Sequence, residues 1–209
     1  ELKKALDNSE NIRNLGGGDA NPFYSTEDNI AREKYVFDSI DGQKDLFEKL
    51  KSQYVPFSEK TDNLDRSSQI QVINDILESK DRFMIFRGVA GAGKTSTLQE
   101  LTKCLRSAGI GNIHVIAPTN SAVDVLRSEK FGSAQTVASF LQDSLNQPPP
   151  GSYLIVDESG LNSLKQGADM VSLAQQNNYR ILFVGDARQH KSVEAGDFFR
   201  LIEDHTQIK

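Results

Sequence analysis

Eight residues constrain this chain more than any other stretch: Gly88-Val89-Ala90-Gly91-Ala92-Gly93-Lys94-Thr95. They fit G-x-x-x-x-G-K-[ST], the spacing of a phosphate-binding P-loop. The glycines let the backbone curl with its N–H groups pointing inward, where side chains would otherwise block a phosphate. Lys94 can then reach the β- and γ-phosphates as a point charge, and the Thr95 hydroxyl can ligate Mg²⁺, with Ser96 next in line on the first helical turn. Such a loop needs a strand before it and a helix after it. Phe83-Met84-Ile85-Phe86 is a short apolar run suited to a buried strand, and Leu98, Leu101, Leu105 and Ala108 recur on one helix face until Gly109 supplies a stop. Phosphates would therefore sit at the positive end of that helix.

The same strand-then-polar pattern recurs downstream. Ile113-His114-Val115-Ile116-Ala117 reads as a second buried strand, ended by Pro118-Thr119-Asn120, with a helix from Ser121 to Arg127. His114 reads as a packed or edge histidine. Thr136 can cap a short helix through Leu141, and Pro148-Pro149-Pro150-Gly151 makes a stiff loop. Tyr153-Leu154-Ile155-Val156 is a third strand and runs straight into Asp157-Glu158. Two acids cannot continue a buried strand, so they must emerge at its carboxyl end, where ligands bind in open parallel sheets. Asp157 is placed to hold Mg²⁺, and Glu158 to polarise a water aimed at a γ-phosphate. A helical pattern covers Leu164 to Asn177, followed by a fourth strand, Ile181-Leu182-Phe183-Val184, and by Gly185-Asp186-Ala187-Arg188-Gln189-His190. Gln189 could contact the terminal phosphate. Phe198, Leu201 and Ile202 fit a closing helix. Alternating strands and helices imply an α/β doubly wound, mainly parallel sheet.

Upstream the signals are weaker. Residues 1–22, with Gly16-Gly17-Gly18 and Asn21-Pro22, read as a connector. Ser25 and Asp28 suggest a capping box opening a helix with Ile30, Phe37 and Ile40 inward. Leu46, Phe47, Leu50 and Tyr54 are spaced for a second amphipathic helix, closed before Pro56. The pair is expected to form a small helical module over residues 1–62, ahead of a P-loop domain over 63–209. Asp65 can cap a third helix whose apolar face is Ile70, Ile73, Ile76 and Leu77, with Gln69 at its start. An amide there could pair with both the donor and the acceptor edge of an adenine.

Composition excludes more than it selects. No run of about 18 apolar residues exists, so no membrane span is expected, and no secretory signal opens the chain. Cys104 is the only cysteine and reads as a small buried hydrophobe in a reduced, cytoplasmic protein. The net charge is −5, with 14 acidic against 10 basic residues in 1–66 and 15 against 14 in the remainder. A nucleic-acid partner would therefore have to use a local groove. Zinc-type Cys/His spacing and a G-x-S-x-G elbow are both missing. The chain opens on Glu1 rather than Met, so an excised piece of a longer protein is expected.

Gln69, the loop at 88–95, Asp157-Glu158 and Gly185-Asp186-x-x-Gln189 stand in a fixed order that resembles the first RecA-like domain of a superfamily 1 helicase of the RecD-like, 5′-to-3′ branch. Ala117-Pro118-Thr119-Asn120-Ser121-Ala122 is similar to that family's A-P-T-x-x-A motif, and Gln135-Thr136-Val137-Ala138-Ser139-Phe140-Leu141 to its T-x-A-S-F-L segment. The stretch from Gly185 to Gly196, with the lead-in Phe23-Tyr24-Ser25-Thr26-Glu27, is most similar to the helicase part of TraI/TrwC-type conjugative relaxases. The resemblance implies ATP and Mg²⁺ as ligands and assigns Gln69 to adenine. It assigns Thr119, Asn120, Thr136 and Ser139 to single-stranded DNA, and places the Gly185 strand between the P-loop strand and the Asp157 strand. It also implies a second RecA-like domain in the parent chain, contact with conjugation machinery, and weak ATPase without unwinding from this piece alone. One departure is the four residues between Leu64 and Gln69, where the family usually has three. Other classes remain open at this stage: a helicase-derived DNA- or protein-binding module without turnover, and a P-loop kinase.

Overall fold

The computed structural model describes residues 6, 9–16, 23–60, 64–88, 93–145, 147–186 and 198–205. In chain order its elements begin with β1 (Ile12–Gly16), β2 (Phe23–Thr26), α1 (Glu27–Asp41), α2 (Ser67–Glu78) and β3 (Phe83–Arg87). They continue with α3 (Lys94–Ser107), β4 (Ile113–Ala117), α4 (Asn120–Ser128), β5 (Gln135–Thr136) and α5 (Val137–Gln142). A 3₁₀ turn (Ser159–Leu161) follows β6 (Tyr153–Val156), and α6 (Leu164–Asn177), β7 (Arg180–Gly185) and α7 (Phe198–His205) complete the series. The last five strands form one parallel sheet in the order β3-β7-β6-β4-β5. As the resemblance implied, β7 lies between the P-loop strand and the acid-pair strand.

The sheet is buried on both faces, which is why its strands read as nearly unbroken apolar runs. Successive side chains alternate between two cores. Tyr153, Ile155, Leu182 and Val184 join Ile73 of α2, Leu98 and Leu101 of α3 and Val123 of α4. Leu154, Val156, Ile181 and Phe183 join Val36 of α1, Phe140 of α5, Met170 of α6 and Phe198 of α7. Phe198 reaches its place only because residue 167 is glycine: a Cβ there would fall 2.0 Å from the ring. His114 is half-buried on β4, and burial holds its pKa below the ordinary histidine value. Cys104 is fully buried on α3.

The N-terminal third departs from expectation. Residues 12–16 are not connector: they pair antiparallel with β2, Ile12 opposite Thr26 and Arg13 opposite Ser25. The cap of α1 is Thr26, whose Oγ1 accepts from Asn29 N–H at 3.2 Å, rather than Ser25. Val36 and Ile40 are the buried pair of α1, while Phe37 is 40% exposed, because the helix meets α6 and α7 along a stripe one residue earlier. The second helix, expected around Leu46 to Tyr54, does not form. Its backbone is drawn out along the end of α2 instead, with Phe47 N–H donating to Lys80 O at 2.9 Å and Leu50 N–H to Leu77 O at 2.8 Å. The Phe47 ring lies under two buried guanidinium groups, Arg82 at 5.1 Å and Arg180 at 4.9 Å. Tertiary partners thus outweigh a modest helical periodicity.

Candidate nucleotide site

β3 delivers the P-loop at the carboxyl edge of the sheet, where Gly88 N–H continues the ladder to Gly185 O at 3.1 Å. Lys94, the first residue of α3, folds back so that its ammonium donates to Gly88 O at 2.5 Å. Its stem lies so close that a Cβ on Gly88 would stand 2.8 Å from Lys94 Cγ. Gly93 holds φ +73°, and a Cβ there would meet Gln69 Nε2 at 2.7 Å. Glycine is therefore required at 93 for both conformation and space. Val89, Ala90, Gly91 and Ala92 lie outside the described residues, as do Arg188 and Gln189.

Two strands away, β6 ends at Asp157-Glu158. Asp157 N–H donates to Ile116 O at 2.9 Å, which fixes the turn to β4, and Asp157 Oδ1 accepts from Glu158 N–H at 2.9 Å. Burial pushes the Asp157 carboxyl above its ordinary pKa, against the Glu158 N–H bond and the charge of Lys94. Glu158 is raised by burial and then by the charge of Asp157, again opposed by Lys94. Both carboxyls are thus partly desolvated, and the charge of Lys94 offsets part of that cost at each.

A family model described as an AAA domain matches residues 65–209. The chain belongs to that family. The matched region holds this AAA domain's whole parallel sheet, and with it every element that carries the site. Among curated proteins it is similar to the multifunctional conjugation protein TraI of Escherichia coli K12, 30% identical over 151 residues, which is 65% of this chain and 8% of TraI. It is also similar to the conjugal transfer protein TraA of Rhizobium radiobacter, 33% identical over 125 residues, 56% of this chain and 11% of TraA. The chain thus spans about a tenth of the length of these relatives. The motif series is that of a superfamily 1 helicase RecA-like domain, related to the TraI/TraA proteins.

Within this AAA domain, the first turn of α3 is braced in a way the motif does not announce. Gly93 O accepts from Gln69 Nε2 at 3.2 Å, Ser96 Oγ at 2.8 Å and Thr97 Oγ1 at 3.0 Å. Gln69 Nε2 is also 2.9 Å from Thr97 Oγ1. Thr97 was missed in the sequence because it lies past the motif, yet it is wholly buried at the loop's exit. A cleft of about 390 Å³ opens beside the start of α2, lined by Phe57, Leu64, Arg66 and Ile70 among others, with Arg66 stacked 4.8 Å over the Phe57 ring. It lies within one helical turn of Gln69.

For the metal, the donor set on hand is Thr95 and Asp157, and Asp157 Oδ2 has no hydrogen-bond partner among the described residues. No group of three or more His, Cys, Asp or Glu among the described residues could hold an ion. One hydroxyl and one carboxylate suit Mg²⁺, which keeps several waters and shares phosphate oxygens, and would not suit a metal needing an all-protein cage.

The four residues assigned to DNA sit at the same sheet edge, since Ile116 pairs with Gln135 and Ala117 with Thr136. Thr119 caps α4 by accepting from Ala122 N–H at 3.2 Å, and Thr136 caps α5 by accepting from Ser139 N–H at 3.1 Å. Thr119 Oγ1 also shares a hydrogen bond with Ser121 Oγ at 3.1 Å. Asn120 and Ser139 are exposed beside them. No helix among the described residues is long and apolar enough to cross a membrane.

Proposed function

We propose that this chain is the ATP-hydrolysing first motor domain of a DNA helicase, and that in its parent protein, a cytoplasmic conjugative relaxase-helicase, ATP hydrolysis drives movement on single-stranded DNA. The observation that supports this reading is that the strands leading to Lys94 and to Asp157-Glu158 run parallel with one strand between them, and the charge of Lys94 acts on both carboxyls. In this reading the 88–95 backbone and Lys94 bind the triphosphate, and Thr95 and Asp157 would hold Mg²⁺, which would supply charge neutralisation to the phosphates. Glu158, its proton affinity raised by burial, orients and accepts a proton from the attacking water. Gln189 reports the presence of the terminal phosphate. The adenine occupies the cleft beside Gln69, with the amide contributing to its recognition.

Residues 63–209 act as the nucleotide-binding unit and 1–62 as its appendage. A second RecA-like domain and conjugation machinery complete the assembly. Thr119, Asn120, Thr136 and Ser139 face the DNA strand. Without arginine fingers from a second domain, which are worth roughly 10³–10⁵ in rate in related systems, the chain alone binds ATP, hydrolyses it slowly and does not unwind DNA.

The test is a titration of Mg-ATP against this chain and its Lys94→Ala variant, with phosphate release followed in parallel. Saturable binding that Lys94→Ala weakens at least tenfold, with slow release of free phosphate, supports the reading. Equal affinity in both proteins, or phosphate transfer to a small acceptor instead of water, overturns it.

A further inference from the structure

Asn162 is completely buried, and among the described residues neither its Oδ1 nor its Nδ2 has a hydrogen-bond partner. A buried primary amide left unpaired is strongly destabilising, and native folds keep few of them without a reason. Its position supplies one. Asn162 closes the turn that opens at Glu158. Leu161 N–H donates to Glu158 O at 2.9 Å, Asn162 N–H to Ser159 O at 3.2 Å, and Ser159 Oγ to Val156 O at 2.6 Å. Glu158 itself is left-handed, with φ 50°, a conformation a non-glycine residue holds only against steric cost.

The other side of the turn abuts the exit of β7. A Cβ on Gly160 would stand 3.4 Å from Asp186 O, and one on Gly185 3.3 Å from Gly160 N. The turn is therefore wedged between the acid pair and the end of the neighbouring strand, and any shift of it moves Glu158. A backbone-strained acid, a closely packed turn and a buried amide without partners at its far end thus stand on one short element.

We propose that Asn162 is a positioning residue for Glu158: its amide gains hydrogen-bond partners only in the turn arrangement that accompanies a bound γ-phosphate. The pairing therefore favours triphosphate over diphosphate. This rests on the nucleotide-binding reading above. A ligand can shift the turn only by its differential affinity for the two arrangements, so the effect must appear in the ratio of two binding constants.

The experiment measures the affinity of this chain for Mg-ADP and for the Mg complex of a non-hydrolysable ATP analogue, by calorimetry, in wild type, Asn162→Leu and Asn162→Ala. Leucine keeps the branched outline and removes the unpaired polar atoms but is bulkier, and alanine, which removes them without added bulk, controls for overpacking. Both variants are expected to bind ADP within about twofold of wild type and the triphosphate analogue about tenfold more weakly, a loss of one well-made hydrogen bond's worth of coupling. A triphosphate-to-diphosphate ratio unchanged in both variants overturns the inference, including the case in which an ordered water satisfies the amide in every state. Equal loss of both ligands overturns it as well, by assigning Asn162 a merely structural role. If the wild-type chain binds neither nucleotide, the failure belongs to the functional reading and takes this inference with it.

Discussion

Glu100 offers a sharp test of how the cleft beside α2 is held together. It lies on α3 with only 3% of its surface exposed, and its Oε2 accepts from Phe57 N–H at 2.6 Å and from Tyr54 O–H at 2.8 Å. Lys103 closes the arrangement, donating to Glu100 Oε1 at 3.1 Å and to Glu59 Oε2 at 2.8 Å. These contacts strap the irregular 54–57 segment, which walls the cleft beside Gln69, to the P-loop helix.

Replacing Glu100 by alanine leaves the buried Phe57 N–H without an acceptor, while half-buried Tyr54 can recover a partner in water. One orphaned buried donor plus a lost charge-assisted bond amounts to about 2–4 kcal/mol. At roughly 2–4 °C per kcal/mol for a domain of this size, melting should fall by roughly 4–16 °C. Glu100→Gln keeps a carbonyl acceptor for Phe57 and should lose about half as much.

The pH dependence follows from the same bonds. Burial pushes the Glu100 carboxyl up, but the Phe57, Tyr54 and Lys103 hydrogen bonds together outweigh it, so its pKa is net lowered. A depressed carboxylate contributes stability above its unfolded pKa, about 4.3, and loses it as pH falls through the folded value. The difference between wild type and Glu100→Ala should therefore be full at pH 7 and shrink below about pH 4. Urea denaturation of the two proteins at several pH values measures it. A difference under about 0.5 kcal/mol at pH 7 would refute the assignment, since that is the size of an ordinary surface substitution.

Two further outcomes are expected. Asp157 has its pKa raised by burial, so its ionised form destabilises the nucleotide-free fold. Asp157→Asn should raise the melting temperature by a few degrees at pH 7, with the gain fading as pH falls through the raised pKa toward about 4, and should abolish the Mg²⁺ dependence of nucleotide binding. Calorimetric melting across pH checks the first part and titration with and without Mg²⁺ the second. Thr136→Asp retains a side-chain acceptor for Ser139 N–H while adding a negative charge at the sheet edge. It should leave stability within about 0.5 kcal/mol of wild type and weaken binding to a single-stranded oligonucleotide, read by fluorescence anisotropy. Unchanged anisotropy would remove Thr136 from the DNA-facing set.

Much of the sheet was legible because its information is local. Phe83–Phe86, Ile113–Ala117, Tyr153–Val156 and Ile181–Val184 are apolar runs bounded by polar residues, and each became a strand within a residue or two. The motif order likewise puts Lys94, Asp157 and Glu158 past the carboxyl ends of those strands, where β6 does end directly before Asp157. The helix expected at 46–54 failed for the opposite reason: its periodicity was real, but Phe47 and Leu50 found backbone partners at Lys80 and Leu77, some thirty residues away in the chain. The β1–β2 hairpin was hidden because its strands are polar and separated by glycines that read as a flexible tether.

By itself, then, the chain's order of residues determined which residue types follow each strand and the class of fold, since P-loop spacing, apolar runs and paired acids depend on near neighbours. Tertiary structure alone decided that Gln69 braces Gly93, that Thr97 belongs to the loop's exit, that Glu100 straps the cleft wall and that Asn162 is buried unpaired. Each of these depends on which groups meet across tens of residues and on how completely water is excluded there, and neither quantity is written in any local pattern.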